Sequence, residues 1–331
     1  MAKKKAKNNS SGISVLVIFV LIIMAALGYL NKDAIFDTRD DINLSESFAV
    51  HYIDVGQGDS ILIQNPQNEY ILIDTGERSQ YEKLSAYLEH YKVKEFKYVI
   101  FTHPHSDHIG SADRIVKDYD IGTLIMSSGV NSTKTFERLL TEIEKKDIEV
   151  VQAEPGQKFD FGSAEFLILA PVFAGYDNLN NYSVALKLTY QNTEFLFTGD
   201  MEKESENEVM DYCEANGIDL SAQVLKVSHH GSSTSSQKSF LERVNPRYAV
   251  IFCGDNNSYN HPNSKVVERI EAAGATVLRT DLEGDIVIAS DGENLFIQKG
   301  RGELEAHEPN ADDGEYETEQ NEDHVGQSPH G

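Results

Sequence analysis

The sequence is short of cysteine and of basic residues, and both shortages argue against particular functions. It has two cysteines, Cys213 and Cys253, and no CxxC pair, so a thiolate metal site is not expected. The two thiols could pair outside the cell, but two small buried side chains are the simpler interpretation. Lys and Arg number 29 against 54 Asp and Glu, a net charge of −25. Such a surface argues against a non-specific nucleic-acid coat, although a metal could still hold a phosphate substrate.

Long apolar runs are also scarce, and one stands out at residues 13–30. It has 18 residues without a charge. At 1.5 Å per residue it is about 27 Å long, close to the thickness of a bilayer core. Lysines precede it, which predicts a cytoplasmic basic segment at residues 1–12 and an extracellular remainder. We therefore expect a single-pass signal anchor in the cell membrane; the alternatives are a cleaved signal peptide, giving a secreted protein, or a buried core helix.

The rest of the chain divides by composition into a linker, one domain and a tail. Residues 31–47 are mainly polar and predict a membrane-proximal linker. Residues 48–300 alternate short apolar runs with amphipathic helices, and two sets of strands with helices outside predict an α/β sandwich. Residues 301–331 are rich in Glu, Asp, Asn and Gly, which predicts an acidic, disordered tail.

A dense histidine motif follows a buried strand, in the segment from Thr102 to Gly110. It places His103, His105, Asp107 and His108 within six residues. Side chains on one turn can face two adjacent metal ions, one held by the first two histidines and the other by Asp107 and His108. Imidazole and carboxylate ligands suit zinc, manganese or iron. A run of incidental surface histidines is the alternative, and this pattern is too dense to favour it.

Two later strand ends carry further candidate ligands. Asp200 follows the strand at LFTGD, and its carboxylate could bridge two metals or simply cap the next helix. His229 and His230 follow another strand at KVSHHGS, where one of them could bind the second metal. The sequence therefore predicts a dinuclear site assembled from three strand ends.

Taken together, these motifs resemble the metallo-β-lactamase superfamily, and within it the extracytoplasmic hydrolase domain of the ComEC competence family. The resemblance implies a four-layer αββα sandwich that binds two divalent metal ions, Zn²⁺ or Mn²⁺. The motifs that carry it are VGQGDS at 55–60, IDTG at 73–76, HPHSDHIG at 103–110, NNYS at 180–183, TGD at 198–200, KVSHHGS at 226–232 and YNHP at 259–262.

The sequence departs from this family pattern in two places. The superfamily usually supplies a third histidine to the first metal, but here the corresponding region offers Asn180, Asn181 and Tyr182. The first site should therefore be weaker or more open, which favours manganese over zinc. ComEC proteins also carry a multi-span channel, and one apolar span cannot form it.

The resemblance implies roles for individual residues. His230 would bind metal, together with the turn histidines and Asp200. A proton for the leaving group would come from His229 or His261. The residues expected to act in catalysis are Asp107, His229 and His261. Those expected to contact substrate are Asn181, Lys226 and Ser232. Those expected to support the ligands from behind are Asp54, Asp59 and Asp74, with a plain turn-forming role as the alternative for Asp54.

The predicted function is a membrane-anchored, extracytoplasmic, nuclease-like phosphodiesterase that attacks with a metal-bound hydroxide. DNA is one candidate substrate. A cell-wall phosphodiester of the phosphorylcholine or teichoic-acid type is another. The alternative from a different class is a non-catalytic binding module that keeps the fold and a metal. No protein partner is evident from the sequence.

Overall fold

A computed structural model of the protein describes residues 47–300. The predicted basic segment, signal anchor, acidic tail and all of the linker except Ser47 lie outside the described residues. Within the described range, none of the helices combines the length and the apolar character that crossing a bilayer requires.

The strands of residues 47–300 form two sheets. In chain order they are β1 (Phe48–Tyr52), β2 (Ile61–Gln64), β3 (Tyr70–Ile73), β4 (Glu95–Phe101), β5 (Asp120–Met126), β6 (Val150–Gln152), β7 (Lys158–Phe161), β8 (Ala164–Ala170), β9 (Ala185–Tyr190), β10 (Thr193–Phe197), β11 (Val224–Lys226), β12 (Tyr248–Ile251), β13 (Thr276–Arg279), β14 (Asp285–Ser290) and β15 (Leu295–Gly300). The first sheet has the order β15-β14-β1-β2-β3-β4-β5-β6, and the second has the order β13-β12-β11-β10-β9-β8-β7.

Helices connect the strands and cover the sheets. The α-helices of the described chain are α1 (Tyr81–His90), α2 (Ser106–Ile109), α3 (Ala112–Asp118), α4 (Lys134–Lys146), α5 (Lys203–Asn216), α6 (Lys238–Val244), α7 (Ser264–Ala272) and α8 (Thr280–Glu283). Short 3₁₀ turns lie at Arg78–Gln80, Leu179–Tyr182 and Ser228–Gly231.

Three apolar clusters hold the layers together. One lies between the two sheets and contains Phe48, Val50 and Tyr52 of β1, whose side chains alternate along the strand. A second joins the outer face of the first sheet to α1, α3 and α4, and a third joins the outer face of the second sheet to α5, α6 and α7. This arrangement confirms the predicted four-layer αββα sandwich. Cys213 and Cys253 are free and buried, as the simpler interpretation required.

Parallel strands place the candidate ligands at one edge of the sandwich. In the first sheet β3, β4 and β5 run parallel, and in the second sheet β10, β11 and β12 run parallel. The carboxyl ends of parallel strands lie at the same edge of a sheet, where ligands of α/β proteins bind. The histidine turn follows β4, Asp200 follows β10, and His229 and His230 follow β11. The fold therefore gathers residues that are far apart in sequence.

One buried histidine outside this edge predicts a pH dependence of stability. His51 of β1 is fully buried, its Nδ1 lies 3.0 Å from the Tyr87 hydroxyl, and its Nε2 has no hydrogen-bond partner among the described residues. Burial lowers the pKa of the imidazole to about 3. The unfolded chain, with an ordinary pKa, then binds more protons than the folded chain between these values, so stability falls as the pH falls.

Replacing His51 by Leu should remove this acid sensitivity. When the pH is lowered from 8 to 5, protonation of His51 in the unfolded chain should lower the free energy of unfolding by about 2 kcal/mol. The decrease in the free energy of unfolding over this pH range should therefore be about 2 kcal/mol smaller in the H51L variant. Urea unfolding of both proteins with a chelator present measures the difference, because other titrating groups cancel. His90→Leu, at an exposed helix position, is the control and should behave like the unmodified chain. An equal loss in H51L and the unmodified chain would contradict the prediction.

Candidate metal centre

The histidine turn is shaped by the passage from β4 into the short helix α2. The carbonyl of His105 accepts hydrogen bonds from the backbone N–H groups of His108 and Ile109, which starts the helix. The residue after this helix is Gly110, and only glycine fits there, because a Cβ would lie 2.4 Å from the backbone nitrogen of Arg78. His103 Nε2 and His105 Nδ1 lie 3.0 Å apart on one side of the turn. Two imidazole nitrogens this close form a natural pair of ligands.

The opposite wall of the centre comes from the second sheet. His230 Nε2 lies 3.1 Å from Asp107 Oδ2 and 3.4 Å from Asp200 Oδ2. His108 Nε2 lies 3.2 Å from the same Asp200 oxygen. His229 and His230 both have left-handed backbone conformations, with φ of 49° and 52°. Such conformations cost about 1–3 kcal/mol each and are typical of functional sites.

The side chains of this cluster fit a divalent cation. Asp107, His108, Asp200 and His230 each offer a ligand atom, and these atoms lie within 4.8 Å of one another. Within the described chain, His108 Nε2 and Asp200 Oδ1 are buried without a hydrogen-bond partner. Unsatisfied buried groups of this kind are costly, and a bound cation would satisfy them. The donor set of imidazole and carboxylate suits Zn²⁺ or Mn²⁺.

Two electrostatic environments exist within the centre. Burial lowers the pKa of His103 well below its usual range, and the neighbouring histidines lower it further. Burial also acts to lower the pKa of His108, but the negative charges of Asp200, Asp107 and other carboxylates outweigh it and raise that pKa well above its usual range. His103 is therefore neutral and ready to bind metal. A cation near His108 would have to displace a proton, so metal binding there is expected to depend on pH.

Comparison with known proteins identifies the family. The profile of the metallo-beta-lactamase superfamily matches residues 53–255. The chain belongs to this superfamily. ComE operon protein 3 of Bacillus subtilis (strain 168) is 32% identical over 260 residues, covering 73% of this chain and 33% of that protein. Competence protein ComA of Neisseria gonorrhoeae is 30% identical over 237 residues, covering 71% of this chain and 31% of that protein.

The chain thus spans about a third of the length of these curated relatives. Among solved structures, CmlA, a diiron beta-hydroxylase from Streptomyces venezuelae, superposes with a TM-score of 0.51 at 13% identity. That match covers 74% of this chain and 54% of CmlA, and it supports the fold alone. The chain is therefore a member of the metallo-β-lactamase superfamily that is related to competence proteins, and its ligand cluster is suited to a divalent cation.

Buried carboxylates behind the histidine turn help to orient His108 and His230. Asp74 Oδ2 accepts a hydrogen bond from His108 Nδ1 at 2.8 Å, while Asp74 Oδ1 accepts one from the backbone N–H of Thr102 at 2.8 Å. His230 Nδ1 donates a hydrogen bond to the Phe252 carbonyl at 3.2 Å, and the charge of Asp59 lies beside it, with Oδ1 3.5 Å from the same nitrogen. These contacts leave the Nε2 atoms of both histidines facing the cluster, which is how carboxylates orient metal-binding imidazoles.

Asp54 lies outside this arrangement. Its carboxylate accepts a hydrogen bond from the backbone N–H of Gly56 at 3.1 Å and pairs with Lys83 Nζ at 3.0 Å. These are the contacts of the turn-forming alternative, since the carboxylate bonds to the backbone two residues ahead. The expectation that Asp54 supports the metal ligands is therefore not met by its contacts.

Two of the residues expected to contact substrate have their polar groups engaged within the protein. Asn181 is buried, its Nδ2 donates to Glu204 at 3.0 Å, and its Oδ1 accepts from the Glu202 backbone at 2.9 Å. Ser232 is also buried, and its Oγ lies 3.1 Å from the Thr234 hydroxyl. Asn181 therefore ties the 3₁₀ turn before β9 to the start of α5, and Ser232 stabilises its own loop.

Lys226, the third residue expected to contact substrate, lies beneath the cluster. Its position differs from the expected one in a substrate groove. It is 1% exposed. Its ammonium group pairs with Asp59, donates to the Gly199 carbonyl at 2.8 Å and lies 3.5 Å from Asp200 Oδ1. A side chain so enclosed cannot contact a substrate phosphate. Lys226 instead supplies the positive charge that two buried carboxylates need.

His229 and His261 lie at the more open side of the centre. His229 Nδ1 lies 3.3 Å from Glu202 Oε1, and its Nε2 lies 3.9 Å from Asp200 Oδ2. The ring of His261 lies 5.5 Å from the ring of His229. Burial lowers the pKa of His261 to about 4, so this imidazole is neutral at physiological pH.

Sequence reasoning missed two groups that position these ligands. Ser183 Oγ lies 3.3 Å from His103 Nδ1 and accepts a hydrogen bond from the Asp200 N–H at 2.9 Å, so it links the two sheets. Glu202 orients His229. Glu202 looks like any acidic residue at the start of a helix, and the sequence holds no signal for its contact. Ser183 belongs to the NNYS motif, but the residues around it in the sequence do not indicate its contacts with His103 and Asp200.

Removing the buried charge of Lys226 should damage the centre. In Lys226→Met, the buried carboxylates of Asp59 and Asp200 would lose the ammonium group that lies between them, and we expect a loss of about 3–5 kcal/mol in the free energy of unfolding. Chemical denaturation with a chelator present measures it. The double variant Asp59→Asn with Lys226→Met should recover part of this loss, since it removes an unpaired charge.

Lys238→Met is the matched control, because the Lys238 side chain is 79% exposed. Its free energy of unfolding should change by less than about 0.5 kcal/mol. If Lys226→Met were as mild as this control, the ammonium group would not be balancing the buried carboxylates.

Proposed function

We propose that this chain is a dinuclear metallohydrolase that cleaves phosphodiester bonds. The observation that carries the proposal is the joining of two ligand sets at one edge of the sandwich: the imidazole pair of His103 and His105, and the cluster that includes Asp107 and His230. The names of the competence-related proteins that this chain resembles favour a nucleic-acid substrate.

The ligands divide between two ions. His103 and His105 would hold one, while Asp107, His108 and His230 would hold the other. Asp200 extends from the second sheet towards the cluster and is the carboxylate suited to contact both. Two Zn²⁺ or Mn²⁺ ions would lower the pKa of water towards neutrality and polarise a phosphoryl oxygen.

His229 is the group best placed to give a proton to the leaving oxygen. Its Nδ1 is held by Glu202, and its Nε2 is directed to the side of Asp200. A carboxylate on one ring nitrogen fixes the orientation of the imidazole, leaving the other nitrogen for the reaction. The side chain is 19% exposed, so a substrate can reach it. His261 packs against this ring and limits its movement.

The charge of the centre favours a substrate bound through metal rather than through lysines. Lys226 is buried and paired, and the chain as a whole has a net charge of −25. Long-range attraction of a polyanion is therefore weak, so the metal ions must supply most of the affinity for phosphate. We propose DNA as the substrate, acted on outside the cell membrane by a domain anchored through residues 13–30; cell-wall phosphodiesters are the other class that the test below distinguishes.

The test uses the full chain stripped with a chelator and then supplied with Mn²⁺ or Zn²⁺. Bis(p-nitrophenyl) phosphate, single-stranded DNA and a teichoic-acid-type glycerol phosphodiester are the substrates. Metal should restore cleavage, and DNA should be cleaved more efficiently than the glycerol ester. A preference for the glycerol ester would favour the cell-wall alternative. No cleavage of any substrate by the folded, metal-loaded chain would contradict the proposal.

Asp107→Ala should lower the rate of metal-dependent cleavage by about a hundredfold or more, because it removes a ligand of the cluster. Asp54→Asn is the matched control, since that carboxylate contacts Gly56 and Lys83 instead. Its activity should stay within about threefold of the unmodified chain. Full activity in Asp107→Ala would contradict the assignment of the site.

A further inference from the structure

A stack of rings extends from the metal cluster to the protein surface. The ring of His261 stacks on His230, with centroids 6.1 Å apart and planes at 28°. The ring of Tyr259 stacks in turn on His261, with centroids 5.8 Å apart and planes at 22°. Tyr259 is 45% exposed, one of the few large apolar side chains that the described chain leaves open to solvent. The outermost ring of the stack therefore presents surface beside the cluster.

The loop that carries Tyr259 is held firmly. Asn257 Oδ1 accepts hydrogen bonds from the backbone N–H groups of Tyr259 at 3.2 Å and His261 at 3.0 Å. Asn257 Nδ2 donates to the carbonyls of His261 and Gly254. The loop also packs on the 3₁₀ turn Ser228–Gly231, since a Cβ on Gly231 would lie 2.7 Å from Pro262 Cβ. The ring is thus fixed before any ligand arrives, which lowers the entropic cost of stacking.

The electrostatic surroundings place Tyr259 on the side of the cluster. Burial raises the pKa of its hydroxyl, and the negative charges of Asp107 and Glu77 raise it further. Asp107 is a member of the ligand cluster. The Tyr259 hydroxyl therefore lies close enough to the metal centre for the charge of Asp107 to raise its pKa.

A second aromatic surface lies next to the other pair of ligands. A Cβ on Gly129 would lie 3.0 Å from Tyr182 Cβ and 3.4 Å from Pro104 Cδ, and Pro104 separates His103 from His105. The Tyr182 ring contacts Tyr176 at 5.1 Å, and Tyr176 contacts Phe173 at 5.6 Å. Phe173 is 56% exposed. Each set of metal ligands therefore has an aromatic surface beside it.

We propose that Tyr259 is a substrate-binding residue on which a nucleobase stacks when the neighbouring phosphate occupies the metal centre. This inference rests on the proposed phosphodiesterase function and narrows its substrate to single-stranded nucleic acid. Stacking of a planar base on an aromatic side chain contributes about 1–3 kcal/mol to binding, whichever base it is. A duplex keeps its bases paired and stacked inside, so it cannot use this surface. A glycerol-based polymer has no ring to stack.

The test compares two variants on two oligonucleotides. Tyr259→Phe keeps the ring, and Tyr259→Leu replaces it with an apolar side chain of a different shape. The substrates are a single-stranded thymidine oligonucleotide and an abasic oligonucleotide of the same length, which keeps the phosphates and lacks the bases. KM and kcat are measured with the full chain in Mn²⁺, and binding is measured separately by fluorescence anisotropy. Unfolding midpoint and bound metal are checked for each variant.

Tyr259→Leu should raise KM and Kd for the thymidine oligonucleotide about five- to a hundredfold with little change in kcat, and leave the abasic oligonucleotide unaffected. Tyr259→Phe should match the unmodified chain. An equal effect of Tyr259→Leu on both oligonucleotides, or no effect on either, would overturn the stacking role. If the unmodified chain cleaves neither, the proposed hydrolysis fails; the anisotropy comparison still decides whether Tyr259 stacks on bases.

Discussion

Burial of carboxylates against imidazoles, at the edge where the two sheets meet, is the constraint on which the rest of the structure depends. Asp59, Asp74 and Asp200 are almost completely buried, and Asp107 is partly so. Ionised carboxylates are costly to bury unless cations or hydrogen bonds compensate them. The histidines and the ammonium group of Lys226 supply this compensation, and a divalent cation bound by the cluster would add to it.

The same constraint explains how the two sheets act together. The first sheet provides the histidine turn and Asp74, and the second provides Asp200 and His230, so neither sheet completes the centre alone. Ser183 joins them by contacting His103 and Asp200. Strained backbone at His229 and His230 is kept in place because the surrounding contacts fix both rings. Opening the gap between the sheets would leave several charges unpaired at once, which favours a rigid centre.

The apolar runs predicted two sets of strands covered by helices, and the resemblance carried by the ligand motifs implied the four-layer sandwich, because both are local signals. β6 and β7 carry weak sequence signals, since both are short, largely exposed and at a sheet edge. Sequence reasoning placed Lys226 at the substrate, although burial decides the role of a lysine and depends on partners far along the chain. The contact of Glu202 with His229 was missed for the same reason.

The number of divalent ions that each chain binds is the direct measure of the two-metal centre. Native mass spectrometry of the full chain, after chelation and titration with Mn²⁺ or Zn²⁺, measures it. A two-metal centre predicts two ions per chain, and one fewer when His103 and His105 are both replaced by Ala, with the fold retained. A folded chain that binds no ion, or a single ion that persists without both histidines, would contradict the two-metal centre.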